Sequence, residues 1–174
     1  VAITKRNILK KTDGIFWNEM ENCIKENPGI TLEEIYIDNM AQQLVVNPEQ
    51  FNNSILLSTN LFMDIISELA SGIVGSIGLI YSANMGDSYA MFEAAHGSAP
   101  SFKGQNKVNP TATILAGAWM AEYLGEPDIR DAIFSATEHV INDGKTITFD
   151  IGGNANTSQM TDAIATLAKE KLRK

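Results

Sequence analysis

Ser54-Ile55-Leu56-Leu57-Ser58-Thr59-Asn60-Leu61-Phe62-Met63-Asp64-Ile65-Ile66-Ser67-Glu68-Leu69 is the stretch from which the architecture can be read. Ser54 to Ser58 is a short apolar run, as expected of a strand buried in a parallel sheet. From Asn60 the period changes: Ile65, Ile66 and Leu69 recur at helical spacing, and Gly72 ends the run. The same alternation precedes it. Val1 to Thr4 reads as a strand. Thr12-Asp13-Gly14 then caps a helix carrying Ile15, Phe16, Met20, Cys23 and Ile24, which Asn27-Pro28-Gly29 stops. Leu32 to Ile37 is a second strand, ending at Asp38, and Met40 to Val46 a helix closed by Asn47-Pro48. Strands alternating with helices give an α/β architecture.

Downstream the pattern changes. Gly72, Gly75 and Gly78 fall three apart, which is not the spacing of a dinucleotide fingerprint. They read as close-packing or hinge positions, and Val74 as a domain boundary, giving residues 1–74 and 75–174 as parts of two domains. Leu79 to Ser82, the turn Asn84-Met85-Gly86-Asp87 and a strand at Tyr89 to Phe92 follow. Glu93 to Pro110 is polar and rich in Gly and Pro, so it should be irregular. A long loop inside a compact domain is usually functional, and this one reads as a ligand loop. Pro110 and Pro127 each suit the first turn of a helix. Thr146 to Phe149 reads as extended, Asp150 to Asn154 as a loop, and Thr157 or Ser158 as the cap of the last helix.

Composition bounds the function. The 174 residues are 44% hydrophobic and 20% charged, ordinary globular material. A net charge of -8 argues against nucleic acid or an anionic membrane as partner, and can help hold a cation. The single cysteine, Cys23, leaves no internal disulfide and no Cys-based zinc site; its apolar neighbours suggest a buried thiol. No apolar run reaches membrane-spanning length. A chain that opens inside a strand is expected to be a piece of something longer.

Asp64 and Glu68 are four apart, on one helix face, directly after a strand. Asp38 ends another strand, and in open α/β sheets ligands bind at the carboxyl ends of strands. Such carboxylates suit Mg²⁺ or Mn²⁺ with oxygen ligands; they would serve equally well as helix caps. Lys5 is a candidate proton carrier, although a solvated lysine is the ordinary case. His96 is the histidine of the loop, and His139, beside Glu138 in a helix, reads as structural.

Asn60 to Leu69, Ser82-Ala83-Asn84-Met85-Gly86-Asp87, His96-Gly97-Ser98-Ala99-Pro100 and Asn109-Pro110, in that order, resemble the β-decarboxylating dehydrogenases acting on isocitrate, isopropylmalate, homoisocitrate or tartrate. Asn84 to Asp87 and Phe92 to Ala95 look more like the isocitrate enzymes. The resemblance implies that family's α/β fold, a mixed sheet flanked by helices, here incomplete and containing parts of two domains: a substrate, metal and dimer domain, then a cofactor domain. It implies oxidative decarboxylation of isocitrate to 2-oxoglutarate with NAD or NADP and Mg²⁺ or Mn²⁺, in a homodimer with shared active sites, located in the cytoplasm or the mitochondrial matrix.

Residue by residue, the resemblance makes Lys5 the catalytic lysine, Asp38, Asp64 and Glu68 the metal ligands, and His96 and Asn109 contacts to the adenosine half of the cofactor. Gly97, Ser98, Ala99, Pro100, Ser101, Phe102 and Asp150 would complete that site. The family's proton-donating tyrosine and substrate-holding arginines and serine lie upstream of the lysine, so these residues would be a C-terminal half, inactive alone.

Three positions depart from the family's pattern. Glu68 stands where Asp is usual, and its extra methylene would loosen an octahedral site. Met63 replaces Gly and should crowd its turn. Ser101, Phe102, Phe149 and Gly153 stand where NADP-dependent members hold the 2′-phosphate; no cation remains there to pair with it, so NAD is expected over NADP. Ser101 would accept from the ribose hydroxyls only weakly, where NAD-dependent members usually carry Asp. A non-catalytic regulatory subunit would tend to lose the metal carboxylates and His-Gly, whereas this chain keeps Lys5, Asp38, Asp64 and His96-Gly97.

Overall fold

The computed structural model describes residues 1–173 and divides into two compact units, Val1–Ile73 and Val74–Lys174. In the first unit β1 (Ala2–Thr4) lies between β2 (Glu34–Tyr36) and β3 (Leu57–Ser58), parallel to both. Helices α1 (Thr12–Glu26), α2 (Ile37–Val46) and α3 (Asn60–Val74) follow the three strands in turn. The core gathers Ile3, Met40, Leu44 and Ile66, with Ile35, Ile37, Leu56 and Leu69 packed on it. β1, fully buried, is the strand whose apolar run reads true.

Several sequence expectations shift here. β3 lies at an edge of this sheet, with Ile55 and Leu57 exposed. Asp38 does not end a strand, because helix α2 starts one residue earlier and places it in the first turn, where a carboxylate favours the dipole. Asp13 lies inside α1 and is buried rather than capping from outside. Cys23 is exposed, not a core thiol: α1 turns Phe16, Trp17, Met20 and Ile24 partly inward and leaves Ile15 and Cys23 outward. Met63, expected to crowd its turn, packs against the core cluster.

In the second unit β4 (Tyr81–Met85) and β5 (Ala90–Ala94) form an antiparallel hairpin closed by Gly86 N–H donating to the Tyr89 carbonyl at 3.0 Å. The first strand runs three residues beyond the sequence reading, taking in Asn84 and Met85 of the expected turn, and the second runs two, so Glu93 and Ala94 belong to the sheet, where Asn84 Nδ2 donates to Glu93 Oε1 at 3.0 Å. Trp119 of α4 (Thr111–Tyr123) meets Tyr81 and Phe92 edge-on, each at 5.8 Å between ring centroids, a geometry that aromatic quadrupoles favour. Helix α4 packs on α5 (Pro127–Asp143), and α5 on α6 (Thr157–Lys171), around Ala136, Val140, Met160, Ile164 and Ala168.

Asn156, not Thr157 or Ser158, caps α6: its side chain accepts from Gln159 N–H, and the Gln159 side chain accepts from Asn156 N–H. Phe149 is not extended; it opens a single 3₁₀ turn, Phe149–Ile151. Among the described residues no helix is long and apolar enough to cross a membrane.

Candidate functional sites

In the first unit the parallel strands deliver three groups to one sheet edge. Lys5 follows β1, Asp38 opens α2 after β2, and Asp64 with Glu68 lies on α3 after β3. Lys5 is anchored twice. Its backbone N–H donates to Asp13 Oδ2 at 2.6 Å, and its Nζ pairs with Asp38 Oδ2 at 2.6 Å. The lysine holds the Asp38 carboxyl below the usual carboxylate range; the slight burial of that carboxyl and two backbone donors are smaller influences.

Flanking Lys5, Thr4 and Arg6 both bind Glu34. Thr4 Oγ1 donates at 2.7 Å, and the guanidinium forks onto the carboxylate at 3.0 and 2.8 Å while stacking on Trp17. Burial would raise the Glu34 carboxyl, but the Arg6 and Thr4 donors bring it below its ordinary range. The backbone that carries Lys5 is therefore tied on both sides.

Asp64 and Glu68 are exposed on one face of α3. Their oxygen donors suit a hard divalent cation. Among the described residues no three His, Cys, Asp or Glu side chains come together to hold a metal, so Asp38, Asp64 and Glu68 share an edge without forming a ligand set within one chain. The pair on α3 fits such an ion as part of a shell that needs further ligands.

In the second unit the loop after β5 walls a cavity of about 330 Å³. Of the residues expected from sequence, His96, Gly97, Ser98, Ala99, Phe102, Asn109 and Asp150 line it; Pro100 and Ser101 do not. Instead they begin a short 3₁₀ turn, Pro100–Phe102, entered through Ala99 at φ 42°.

Asp150 is the hub of the cavity floor. Ser76 Oγ donates to its Oδ2 at 2.5 Å, Asn109 Nδ2 to Oδ2 at 3.0 Å, and Thr148 Oγ1 to Oδ1 at 2.6 Å. Burial pushes this carboxyl up, but the donors outweigh it and hold it below its ordinary value. Asn109 is buried and largely committed, since its Oδ1 also accepts from the N–H of Thr111, the first residue of α4, at 3.0 Å. That leaves one amide hydrogen and its main chain to meet a ligand. His96 is half-buried, with Nδ1 2.9 Å from the Gly97 carbonyl.

Sequence reasoning missed Ser76, Ile77, Gly78 and Val108 in this lining. Gly78 carried a signal, as the last of the three spaced glycines. A Cβ there would stand 2.8 Å from Asn109 Cβ and 3.1 Å from Asp150 Oδ2, so only glycine lets the chain pass this close. Gly153 is equally confined, because a Cβ would collide with the carbonyl and side chain of Ile147.

A cation does stand beside the aromatic pair. Lys107 Nζ lies 4.5 Å from the Phe149 ring centroid and 5.7 Å from that of Phe102, whose rings are 5.8 Å apart. The loop folds Lys107 back through positive φ at Gly104 and Asn106, a reversal that position-by-position comparison could not reveal.

The sequence profile of the isocitrate/isopropylmalate dehydrogenases matches residues 1–164. The isocitrate/homoisocitrate dehydrogenase of Thermus thermophilus is 41% identical over 165 residues, which cover 95% of this chain and 48% of that protein. The mitochondrial NAD isocitrate dehydrogenase catalytic subunit 5 of Arabidopsis thaliana is 44% identical over 164 residues, 94% of this chain and 43% of that one. The crystal structure of isocitrate dehydrogenase from Methylococcus capsulatus superposes with a TM-score of 0.90 at 41% identity, over 97% of this chain and 50% of that one. The chain thus spans about half the length of the curated relatives it matches. On this profile match and these identities, it belongs to the isocitrate/isopropylmalate dehydrogenase family.

Proposed function

We propose that this chain is part of a longer enzyme that oxidatively decarboxylates isocitrate, with a nicotinamide dinucleotide as hydride acceptor and a divalent metal. The observation that carries this reading is the cavity of the second unit, walled by His96 to Ala99 and by Phe102, and floored by Asp150 and Asn109. Its two phenylalanine faces and its fixed polar floor suit the adenosine end of a dinucleotide. Ser101, and a Gly153 with no room for a side chain, support NAD over NADP as the working cofactor.

In the first unit Lys5 would hold and exchange a proton at Nζ, positioned by Asp13, Asp38 and the Glu34 clamp. Asp64 and Glu68 would hold the metal, with Asp38 supplied across a homodimer interface. Bound there, such an ion would supply Lewis-acid polarisation of the substrate's oxygens. Lys5 Nζ, paired with Asp38 at 2.6 Å, would be free for proton exchange once Asp38 served as a metal ligand. Exposed Leu61 and Ile65 flank these carboxylates on α3, an apolar surface consistent with a homodimer.

A second reading, the same chemistry on homoisocitrate, is favoured by the paired name of the Thermus relative. Turnover of the full-length protein with NAD and Mn²⁺ tests both: isocitrate should be preferred, and a higher kcat/KM for homoisocitrate, isopropylmalate or tartrate would replace the first reading.

A further inference from the structure

The second unit presents one charged group that the reading above does not use. Lys107 does not itself line the cavity, but its ammonium stands over Phe149 and Phe102, which do, and so lies beside the cavity's aromatic wall. Among the described residues it makes no ion pair, and neither do Lys10, Lys11, Lys25, Lys103, Lys169 and Lys171; of these lysines Lys107 is the one that stands over aromatic rings. That difference matters chemically. A carboxylate partner would cancel the charge and occupy its donors. An aromatic face steadies an ammonium while leaving its charge uncompensated and its N–H groups available.

The backbone around Lys107 is also fixed. Asn106 Oδ1 accepts from Ser158 N–H and Oγ, both at 3.1 Å, and its carbonyl accepts from Thr157 N–H at 3.0 Å. Thr157 Oγ1 donates to the Val108 carbonyl at 2.6 Å. The residues on either side of Lys107 are thus both tied to the start of α6. On a chain of net charge -8, a positive group held open and in place at a cavity wall is a feature to be explained.

We propose that Lys107 is a phosphate-binding residue for a nucleotide seated in this cavity, held in register by Phe149 and Phe102. This rests on the reading of the cavity as a nucleotide site. The phosphate could be the one on the ribose 5′ carbon or an additional one on the ribose; in the second case the chain would accept NADP through Lys107 despite Ser101 and Gly153.

Calorimetric titration of the full-length protein with adenosine, 5′-AMP and adenosine 2′,5′-bisphosphate decides it, comparing wild type with Lys107→Met, Phe149→Leu and, as a charge control in the same loop, Lys103→Met. Loss of one charge-assisted contact should weaken phosphate-bearing ligands about tenfold. Lys107→Met should do so with adenosine affinity unchanged, Phe149→Leu should give a smaller loss, and Lys103→Met none. A loss for both nucleotides assigns the 5′ phosphate; a loss for the bisphosphate alone assigns the additional one. If Lys107→Met and wild type bind all three ligands equally, or if Lys103→Met loses as much, the proposal is overturned while the nucleotide reading stands. If wild type binds none of the three, the reading of the cavity falls and the proposal with it.

Discussion

Ser76 Oγ donates to Asp150 Oδ2 at 2.5 Å, joining residues 74 positions apart in the sequence. Asp150 also accepts from Thr148 and Asn109, so a single carboxylate ties the start of the second unit to the loop before α4 and to the 3₁₀ turn before α6. The cavity floor is therefore a hydrogen-bonded junction, and its predictions concern stability as well as binding.

Asp150→Asn turns one acceptor oxygen into a donor, which then faces either Thr148 or the pair Ser76 and Asn109. The variant should lose about 1–3 kcal/mol, the cost of leaving buried polar groups unpaired, measured by chemical denaturation of the full-length protein at neutral pH. The pH dependence has a definite sign. The folded-state carboxyl lies below its ordinary value, so its contribution is complete above the unfolded value near ~4 and disappears as pH falls through the folded one. Wild type and variant should converge in acid. A stability gap that stays constant on acidification would show that the Asp150 carboxyl is no more acidic in the folded protein than in the unfolded one.

Gly78→Ala inserts a methyl group into the 2.8 Å approach to Asn109 Cβ. Overpacking of this kind costs about 1–3 kcal/mol, and the displaced Asn109 should weaken 5′-AMP binding. Unchanged melting and unchanged affinity would mean that the close approach is not maintained.

Lys5→Met should lower kcat of the full-length enzyme by about 10²–10⁴-fold, the range for a lost acid-base group, with nucleotide affinity unaltered. If the fall is confined to KM, Lys5 serves binding rather than proton transfer.

Ser101→Asp should raise the ratio of kcat/KM for NAD over that for NADP. Aspartate is a stronger acceptor for ribose hydroxyls and repels a phosphate dianion. Ser101 belongs to the 3₁₀ turn and does not line the cavity. An unchanged ratio would therefore place cofactor choice elsewhere, with Lys107 the next position to test.

The α/β alternation was legible because hydrophobic period and Gly/Pro punctuation are local signals: β1, α3, α4 and α5 lie close to where these put them. Motif resemblance was equally direct for the loop: six of its expected residues line the cavity, with Asp150 from outside it. What sequence missed was set by distant contacts. Ser76 joins the site through Asp150, 74 residues away. Lys107 reaches the aromatic pair only because the loop reverses at Gly104 and Asn106. Cys23 looked apolar by its neighbours in sequence, but which face of α1 is covered depends on packing that periodicity does not specify.

The most direct test of the central claim is a single assay: full-length protein, isocitrate, Mn²⁺ and NAD, following NADH and released CO₂ together. The account predicts the two products in equal amounts, and loss of both when Asp64 is changed to Asn at limiting metal. NADH formation without CO₂, or neither product from isocitrate or any related 2-hydroxy acid while NAD still binds, would contradict it.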